Sequence, residues 1–365
     1  MMNTIRSLSI KNFTAFSNAN FDFSPGINVL IGENSTGKTH VLKLIYSLLE
    51  LSKFDGERSE TTKQLLKFID IFKPEANQFW NLRRKSTSLL YEPPSNEELA
   101  AQLILANQEK AELFISKNEK DEDTLRLPVP SIPQNGIPNA LFLPSREVLS
   151  IYPGFIAAYL NRETAFDETY YDLCVSLNAN PLRKEKYELV KHLVEPLEKI
   201  FGGEGKVSKE GDHFFVDLPD AGKLEAQLVA EGYRKLASLV YLIRNGSLTT
   251  KSVLLWDEPE ANLNPKLVTA VVEFLINLAN AGVQIFIATH NYLFSHEISL
   301  HAEYGLERNI KFFSLYRQEG KDGVQVESGD TLAQLSNNPI LDAYVAHEER
   351  ENRLLYNEDV VEESI

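Results

Sequence analysis

The chain has 365 residues, 43% of them hydrophobic, one cysteine and a formal net charge of −15. That composition supplies a large core or two domains, excludes a wholly disordered chain, and leaves Cys174 without a disulfide or a cysteine-rich zinc site to join. The acidic balance argues against a surface coated with nucleic-acid contacts, and a charged N-terminus with no long apolar run points to a cytoplasmic chain with no membrane partner.

Ile5, Leu8 and Ile10 predict a short strand that turns at Lys11-Asn12-Phe13. Phe21-Asp22-Phe23 alternates as a half-buried strand does, and Ser24-Pro25-Gly26 is turn chemistry. Residues 27–31 form an apolar run suited to a buried strand, and it leads straight into Gly32. From Thr39 the period becomes helical, with Val41, Leu42, Leu44, Ile45, Leu48 and Leu49 on one face. Residues 51–123 carry weaker signals: mixed helical segments, a turn at Glu92-Pro93-Pro94-Ser95 and an alternating run at 111–115. Pro128, Pro130, Pro133 and Pro138 mark a loop.

Residues 140–143 predict a compact strand, followed by the polar turn Ser145-Arg146-Glu147. Residues 148–200 read as helical with a break at 178–181, and 202–229 as short strands. Glu231 opens a helix with Leu236, Leu239, Val240 and Ile243 on one face. Buried strands follow at 253–256 and 283–289, with a helix at 267–278 between them. A further strand at 310–315 and a helical segment near 340–355 complete the chain. Continuous apolar strands alternating with helices imply an α/β sheet covered on both faces.

Gly32-Glu33-Asn34-Ser35-Thr36-Gly37-Lys38-Thr39 fits the phosphate-loop pattern G-x-x-x-x-G-K-[ST], in the strand-to-helix setting that pattern needs. Glycines let successive backbone N–H groups point at one phosphate, and the following helix adds its N-terminal dipole. Lys38 is placed to reach the β- and γ-phosphates of ATP, and the Thr39 hydroxyl to ligate Mg²⁺. Downstream, the strand Val253-Leu254-Leu255-Trp256 ends in Asp257-Glu258-Pro259-Glu260. Consecutive strand residues point to opposite sides, so the two leading carboxylates serve different partners. Asp257 fits a Walker B aspartate at the Mg²⁺, and Glu258 a general base for the attacking water. The next strand delivers His290 to the same sheet edge, where it can donate to the γ-phosphate and hold that water.

These pieces resemble the ATP-binding-cassette ATPases, and among them the SMC/RecF branch that includes the overcoming-lysogenisation ATPases and related bacterial antiphage ATPases. The resemblance rests on Leu8-Ser9-Ile10-Lys11-Asn12-Phe13, the loop at 31–39, the run 255–265 and Ala288-Thr289-His290-Asn291. It implies a P-loop NTPase fold: an ABC-ATPase head with a mixed central sheet, an inserted helical/β subdomain and a short C-terminal extension. The implied organisation is residues 1–50 as the N-terminal part of the head, 51–139 as the insertion and 140–230 as a helical/β lobe. Residues 231–308 form the C-terminal part of the head and 309–365 the extension.

The resemblance also implies that two heads pack head-to-tail on ATP, as a homodimer or higher oligomer, with the signature helix of each capping the γ-phosphate of the other. Ala230-Glu231-Gly232-Tyr233-Arg234-Lys235 occupies the signature position, but the usual serine is absent. A carboxylate aimed at the γ-phosphate would be repelled, so Glu231 faces away or caps its own helix, leaving Gly232 and the backbone amides as contacts. Asn264 sits in the loop that crosses between heads, where it can hydrogen-bond but not titrate. Ser145 and Glu147 lie where the family's glutamine-bearing loop sits; one of them reports on Mg²⁺, or Ser145 caps a helix.

The interval between Thr39 and Glu231 is too short for a long paired coiled coil and lacks sustained heptads. The residues after His290 offer no nuclease centre, so cutting or growth arrest would fall to a separate effector protein. Arg83-Arg84-Lys85 beside Phe79 and Trp80 reads either as a nucleic-acid contact or as a solvated helix face. The acid-rich end from Glu348 to Glu363 is a docking tail or a plain solvated end, and Cys174 a small buried hydrophobe. Three functions follow: an ATPase controlling a separate effector, a DNA-repair or chromosome-associated DNA-binding ATPase, and an ATP-sensing scaffold with little turnover.

Overall fold

The computed structural model describes residues 4–53, 67–68, 70–72, 99–117, 123–126, 136–305 and 309–356. The basic run at 83–85, Trp80, the turn at 92–95 and most of the acidic end beyond Tyr356 lie outside the described residues.

A six-stranded sheet forms the centre, in the order β14-β13-β3-β12-β11-β7. Its strands are β3 (Ile27–Gly32), β7 (Asn139–Leu143), β11 (Ser252–Asp257), β12 (Gln284–Thr289), β13 (Ile310–Tyr316) and β14 (Gln325–Gly329). All pair in parallel except β14, which runs antiparallel to β13. The sheet is therefore mixed, as expected, and its parallel strands are apolar on both sides because both faces are covered.

The two faces are separated by residue parity. Ile27, Val29, Ile31, Leu254, Trp256, Ile285 and Ile287 pack into one core, while Leu30, Val253, Leu255, Phe286 and Ala288 pack into the other. The first core lies under α3 (Glu168–Asn178), α4 (Glu185–Ile200), α5 (Glu231–Arg244), α6 (Pro265–Asn280) and α7 (Tyr292–Tyr304). The second holds α1 (Lys38–Leu51) and an antiparallel sheet in the order β2-β1-β4-β5-β6. Its strands are β1 (Ile5–Phe13), β2 (Phe16–Asp22), β4 (Leu99–Leu105), β5 (Lys110–Lys117) and β6 (Asp123–Arg126), so β4, β5 and β6 share one sheet with the first strands of the chain.

Aromatic rings fasten the two sheets: Phe23 meets Phe286 at 4.8 Å and Phe313 at 5.4 Å between ring centroids. Gln284 adds a polar clasp. It is fully buried, accepts from Ile5 N at 2.7 Å and donates to Ile5 O and Ser24 O at 2.8 Å. A buried carboxamide with its groups satisfied holds β12 to the first strand of the other sheet.

Three local expectations change. The first strand does not turn at Lys11-Asn12-Phe13; Lys11 pairs with Asn18 and Phe13 with Phe16. Asn12 takes a left-handed φ of 54°, yet Phe13 is fully buried against Phe72, 5.5 Å between centroids, and its burial favours continued pairing beyond that kink. The helical stretch 148–200 also breaks earlier, between α2 (Phe155–Leu160) and α3, where the Asp167 side chain accepts from Thr169 N and starts a new helix. Ser145 caps no helix, because α2 begins after Gly154.

The short strands β8 (Val207–Glu210), β9 (His213–Leu218) and β10 (Gly222–Glu225) form a separate antiparallel meander before α5. The C-terminal helix α8 (Pro339–Tyr356) anchors through Ile340 and is exposed from Leu341 onward. No helix among the described residues is long and apolar enough to cross a membrane.

Candidate active site

The C-terminal ends of β3, β11 and β12 lie side by side, since β12 pairs with both others and Thr289 sits opposite Ile31 and Ala288 opposite Asp257. Parallel strands place the residues that follow them on one edge, which is where open α/β sheets bind ligands. Residues far apart in sequence thereby become neighbours.

The loop after β3 needs its glycines for space as much as for torsion. A Cβ on Gly32 would stand 2.3 Å from Leu315 O, and one on Gly37, whose φ is +91°, would stand 2.8 Å from the Phe16 ring. Gly37 opens α1 in the left-handed conformation, and Val41 N donates to Gly37 O. Glu33, Asn34 and Ser35 form the exposed crest, and the Thr36 hydroxyl braces the loop by donating to Glu33 O at 2.9 Å. The Lys38 ammonium curls over the loop and donates to Gly32 O and Glu33 O, both at 2.7 Å. Burial lowers its pKa, opposed by Asp257, Glu258, Glu260 and Glu33 in that order.

Thr39 Oγ1 donates to both Asp257 oxygens at 3.0 Å. This contact brings the start of α1 to the end of β11. Burial, partly offset by the Thr39 hydrogen bond, pushes the Asp257 carboxyl up to about 6. A hydroxyl and a buried carboxylate side by side are a hard-oxygen donor pair suited to Mg²⁺, with phosphates supplying further oxygens. Among the described residues there is no cluster of three or more His, Cys, Asp or Glu side chains able to hold a metal ion.

Glu258 turns out of the strand with φ 47°, a left-handed conformation that costs a non-glycine residue about 1–2 kcal/mol. Its N–H donates to Ala288 O on β12 at 2.9 Å. Its Oε1 lies 3.1 Å from His290 Nδ1, and both side chains are partly open to solvent. The carboxylate and imidazole thus meet at the mouth of the site rather than in the core.

Several residues near the site were not singled out in the sequence. Glu260 is buried and accepts from Thr289 Oγ1 at 2.7 Å, tying the loop after β11 to the end of β12. Burial raises its pKa, and the Thr289 hydrogen bond opposes this. Lys43, one turn beyond Thr39, is paired with Asp167 at 2.6 Å and connects α1 to the cap of α3. Lys235 is buried on α5 and donates to Glu258 O and Ala261 O. Its spacing from Gly232 and Leu239 puts it on the apolar face of that helix, a sequence signal of burial but not of its partner.

The signature segment starts α5 at Ala230, whose side chain makes no cap. Glu231 sits in the first turn, one turn before Lys235, and its charge favours the Lys235 ammonium. Gly232 is buried against the loop after β11, where a Cβ would meet Asn262 O at 2.9 Å. Asn264 is engaged as the N-cap of α6, accepting from Lys266 N at 3.0 Å. Glu147 is ion-paired with Arg234 Nε at 2.8 Å and accepts from Ser150 N. Cys174 is fully buried, and burial pushes its thiol up to about 12.

The family described as "AAA domain, putative AbiEii toxin, Type IV TA system" matches residues 73–296, more than half of the chain. The chain belongs to this family. A second family, described as "AAA ATPase domain", matches residues 3–130. The RecF DNA replication and repair protein of Streptococcus uberis is 41% identical over 64 residues, 18% of this chain and 17% of that protein. Its counterpart from Streptococcus agalactiae is 38% identical over 64 residues, 18% of this chain and 16% of the relative. The chain thus matches less than a fifth of the length of these curated relatives.

Among solved structures, the Smc head domain of Pyrococcus yayanosii superposes with a TM-score of 0.53 at 10% identity, over 95% of this chain and all of that one. The Smc head of Pyrococcus furiosus bound to the C-terminal domain of ScpA gives 0.51 at 13% identity, over 96% and 100%. The chain is thus an AAA-family domain with the fold of an Smc head, a P-loop ABC-ATPase head.

Proposed function

We propose that this domain hydrolyses ATP, pairs head-to-tail with a second copy when ATP is bound, and uses that cycle to control a separate effector protein in bacterial antiphage defence. The observation that carries the reading is the convergence of Thr39 with Asp257 and of Glu258 with His290 on neighbouring strand ends.

In this mechanism the amides of residues 32–39 and the α1 dipole bind the phosphates, and Lys38 exchanges its carbonyl partners for β- and γ-phosphate oxygens. Thr39 and Asp257 are the residues that would hold Mg²⁺, and the ion would supply charge neutralisation at the phosphate oxygens. Glu258 takes a proton from the attacking water as its oxygen bonds to the γ-phosphorus and the bond to the bridging β–γ oxygen breaks. His290 orients Glu258 and donates towards the γ-phosphate. The start of α5, with Gly232 and its amides, covers the γ-phosphate of the partner copy, and Glu231 stays out of that contact. The exposed crest Glu33-Asn34-Ser35 and the exposed Ala230 are surfaces a second copy would cover.

The family's own description, with its putative toxin and type IV toxin–antitoxin system, supports a role in defence. An Smc head bound to part of ScpA supports a head of this fold carrying a protein partner. The RecF matches favour a second reading, DNA repair with the head itself touching DNA. Glu258→Gln with saturating Mg-ATP is the test: light scattering after size-exclusion chromatography is expected to show a dimer, while Lys38→Ala stays monomeric. A Glu258→Gln chain that remains monomeric while ATP is bound removes the composite site. A salt-sensitive shift of duplex DNA by the chain alone supports the repair reading instead.

A further inference from the structure

A lysine buried to 4% exposure inside the signature helix, with its ammonium on two backbone carbonyls, needs a reason. Lys235 Nζ donates to Glu258 O at 3.2 Å and to Ala261 O at 2.9 Å. Desolvation works against its charge, and Glu231, Glu260, Glu258 and Asp257 sustain it in that order. Burying an ammonium is costly unless it is hydrogen-bonded and compensated, so a residue kept here acts on what it touches. What it touches is the strained turn that aims Glu258.

That turn is held from two sides. On one, Glu258 N–H donates to Ala288 O on β12. On the other, its carbonyl is taken by Lys235 on α5. Between them Glu258 keeps φ 47°, which a free loop residue would relax. Gly232 lets α5 approach closely enough for this, since any side chain there would strike Asn262 O. The signature helix is therefore joined directly to the loop bearing the carboxylate within a single copy.

We propose that Lys235 is a positioning residue: by holding the Glu258 carbonyl it sets the direction of the Glu258 carboxylate and couples it to the position of the signature helix. The consequence for a paired ATPase is directional. Seating the start of α5 on the nucleotide of the partner copy would adjust the carboxylate in this copy's own site, so each site reports its occupancy to the other. The assignment rests on Glu258 acting as the base.

The experiment is steady-state ATP hydrolysis by Lys235→Met, Lys235→Arg and Glu258→Gln in the full chain, with ATP affinity measured directly and turnover expressed per bound nucleotide. Lys235→Met is expected to lose at least about tenfold in turnover, part of the 10²–10⁴ a general base contributes, with ATP affinity held within about threefold. Lys235→Arg keeps charge and donors and is expected to recover most of that loss, which a purely structural role would not require. A folded Lys235→Met chain with turnover within about twofold of the unaltered chain overturns the assignment, as does affinity falling in step with turnover. Should Met not fold there, Lys235→Gln is judged by the same limits, its amide being neutral and easier to bury. If Glu258→Gln hydrolyses ATP as fast as the unaltered chain, the base assignment fails on its own. If it is inactive while Lys235→Met is not, only the coupling fails.

Discussion

Asp257 offers a measurable conflict between stability and function. Without metal, its carboxylate sits in a buried position that pushes its pKa from 3.8 to about 6. Such a displacement corresponds to about 3 kcal/mol by which the folded chain is destabilised once the group is ionised. The sign follows from proton binding: between the two values the folded state holds a proton that the unfolded state has lost, so stability falls as pH rises. Below about pH 4 both states are protonated and the cost vanishes; above about pH 6 it is fully present.

Asp257→Asn removes the charge while keeping an oxygen to accept from Thr39 Oγ1. Metal- and nucleotide-free Asp257→Asn is therefore expected to be more stable than the unaltered chain by about 2–3 kcal/mol at pH 8, and close to equal at about pH 4. Urea denaturation followed by circular dichroism at several pH values reads this directly. The same substitution is expected to abolish Mg-dependent ATP turnover. A variant less stable at pH 8, or one whose advantage does not change with pH, refutes the electrostatic argument.

Two further outcomes follow from packing. Gly37→Ala places a Cβ 2.8 Å from the Phe16 ring at a φ of +91°, so it is expected to lower stability by about 2–3 kcal/mol and to weaken ATP binding, measured by thermal denaturation and calorimetry. Glu147→Ala strands the Arg234 guanidinium in a largely buried pair and is expected to cost about 3 kcal/mol in denaturant titration. The double variant with Arg234→Ala should cost less than the two single changes added together, because neither partner is then left alone.

Much of the site was legible because its chemistry is written in short, contiguous runs. A phosphate loop announces itself by glycine spacing and by the strand and helix around it, and residues 32–39 met all three conditions. Asp257 and Glu258 were legible as carboxylates ending an apolar strand. Glu260, Lys235 and the Glu147–Arg234 pair were not, because each acquires meaning from a partner brought in by packing. Glu260 looks like one more acid in a polar loop until Thr289 reaches it from the next strand. Glu147 lay at the expected position for a metal-reporting loop, and only packing reveals its ion pair with Arg234. Phe13 shows the same limit in the fold, since a polar pair before it reads as a turn locally while burial of the ring favours continued pairing.

Periodicity and spacing alone thus determined the parallel apolar strands, the amphipathic helices between them and the phosphate loop, since these depend on neighbours within a few residues. Only tertiary structure decided that β4, β5 and β6 complete the sheet begun by β1. It alone decided that Thr39 meets Asp257 and that Lys235 holds Glu258. Those contacts join segments far apart in the chain, and their geometry comes from strand order and close packing.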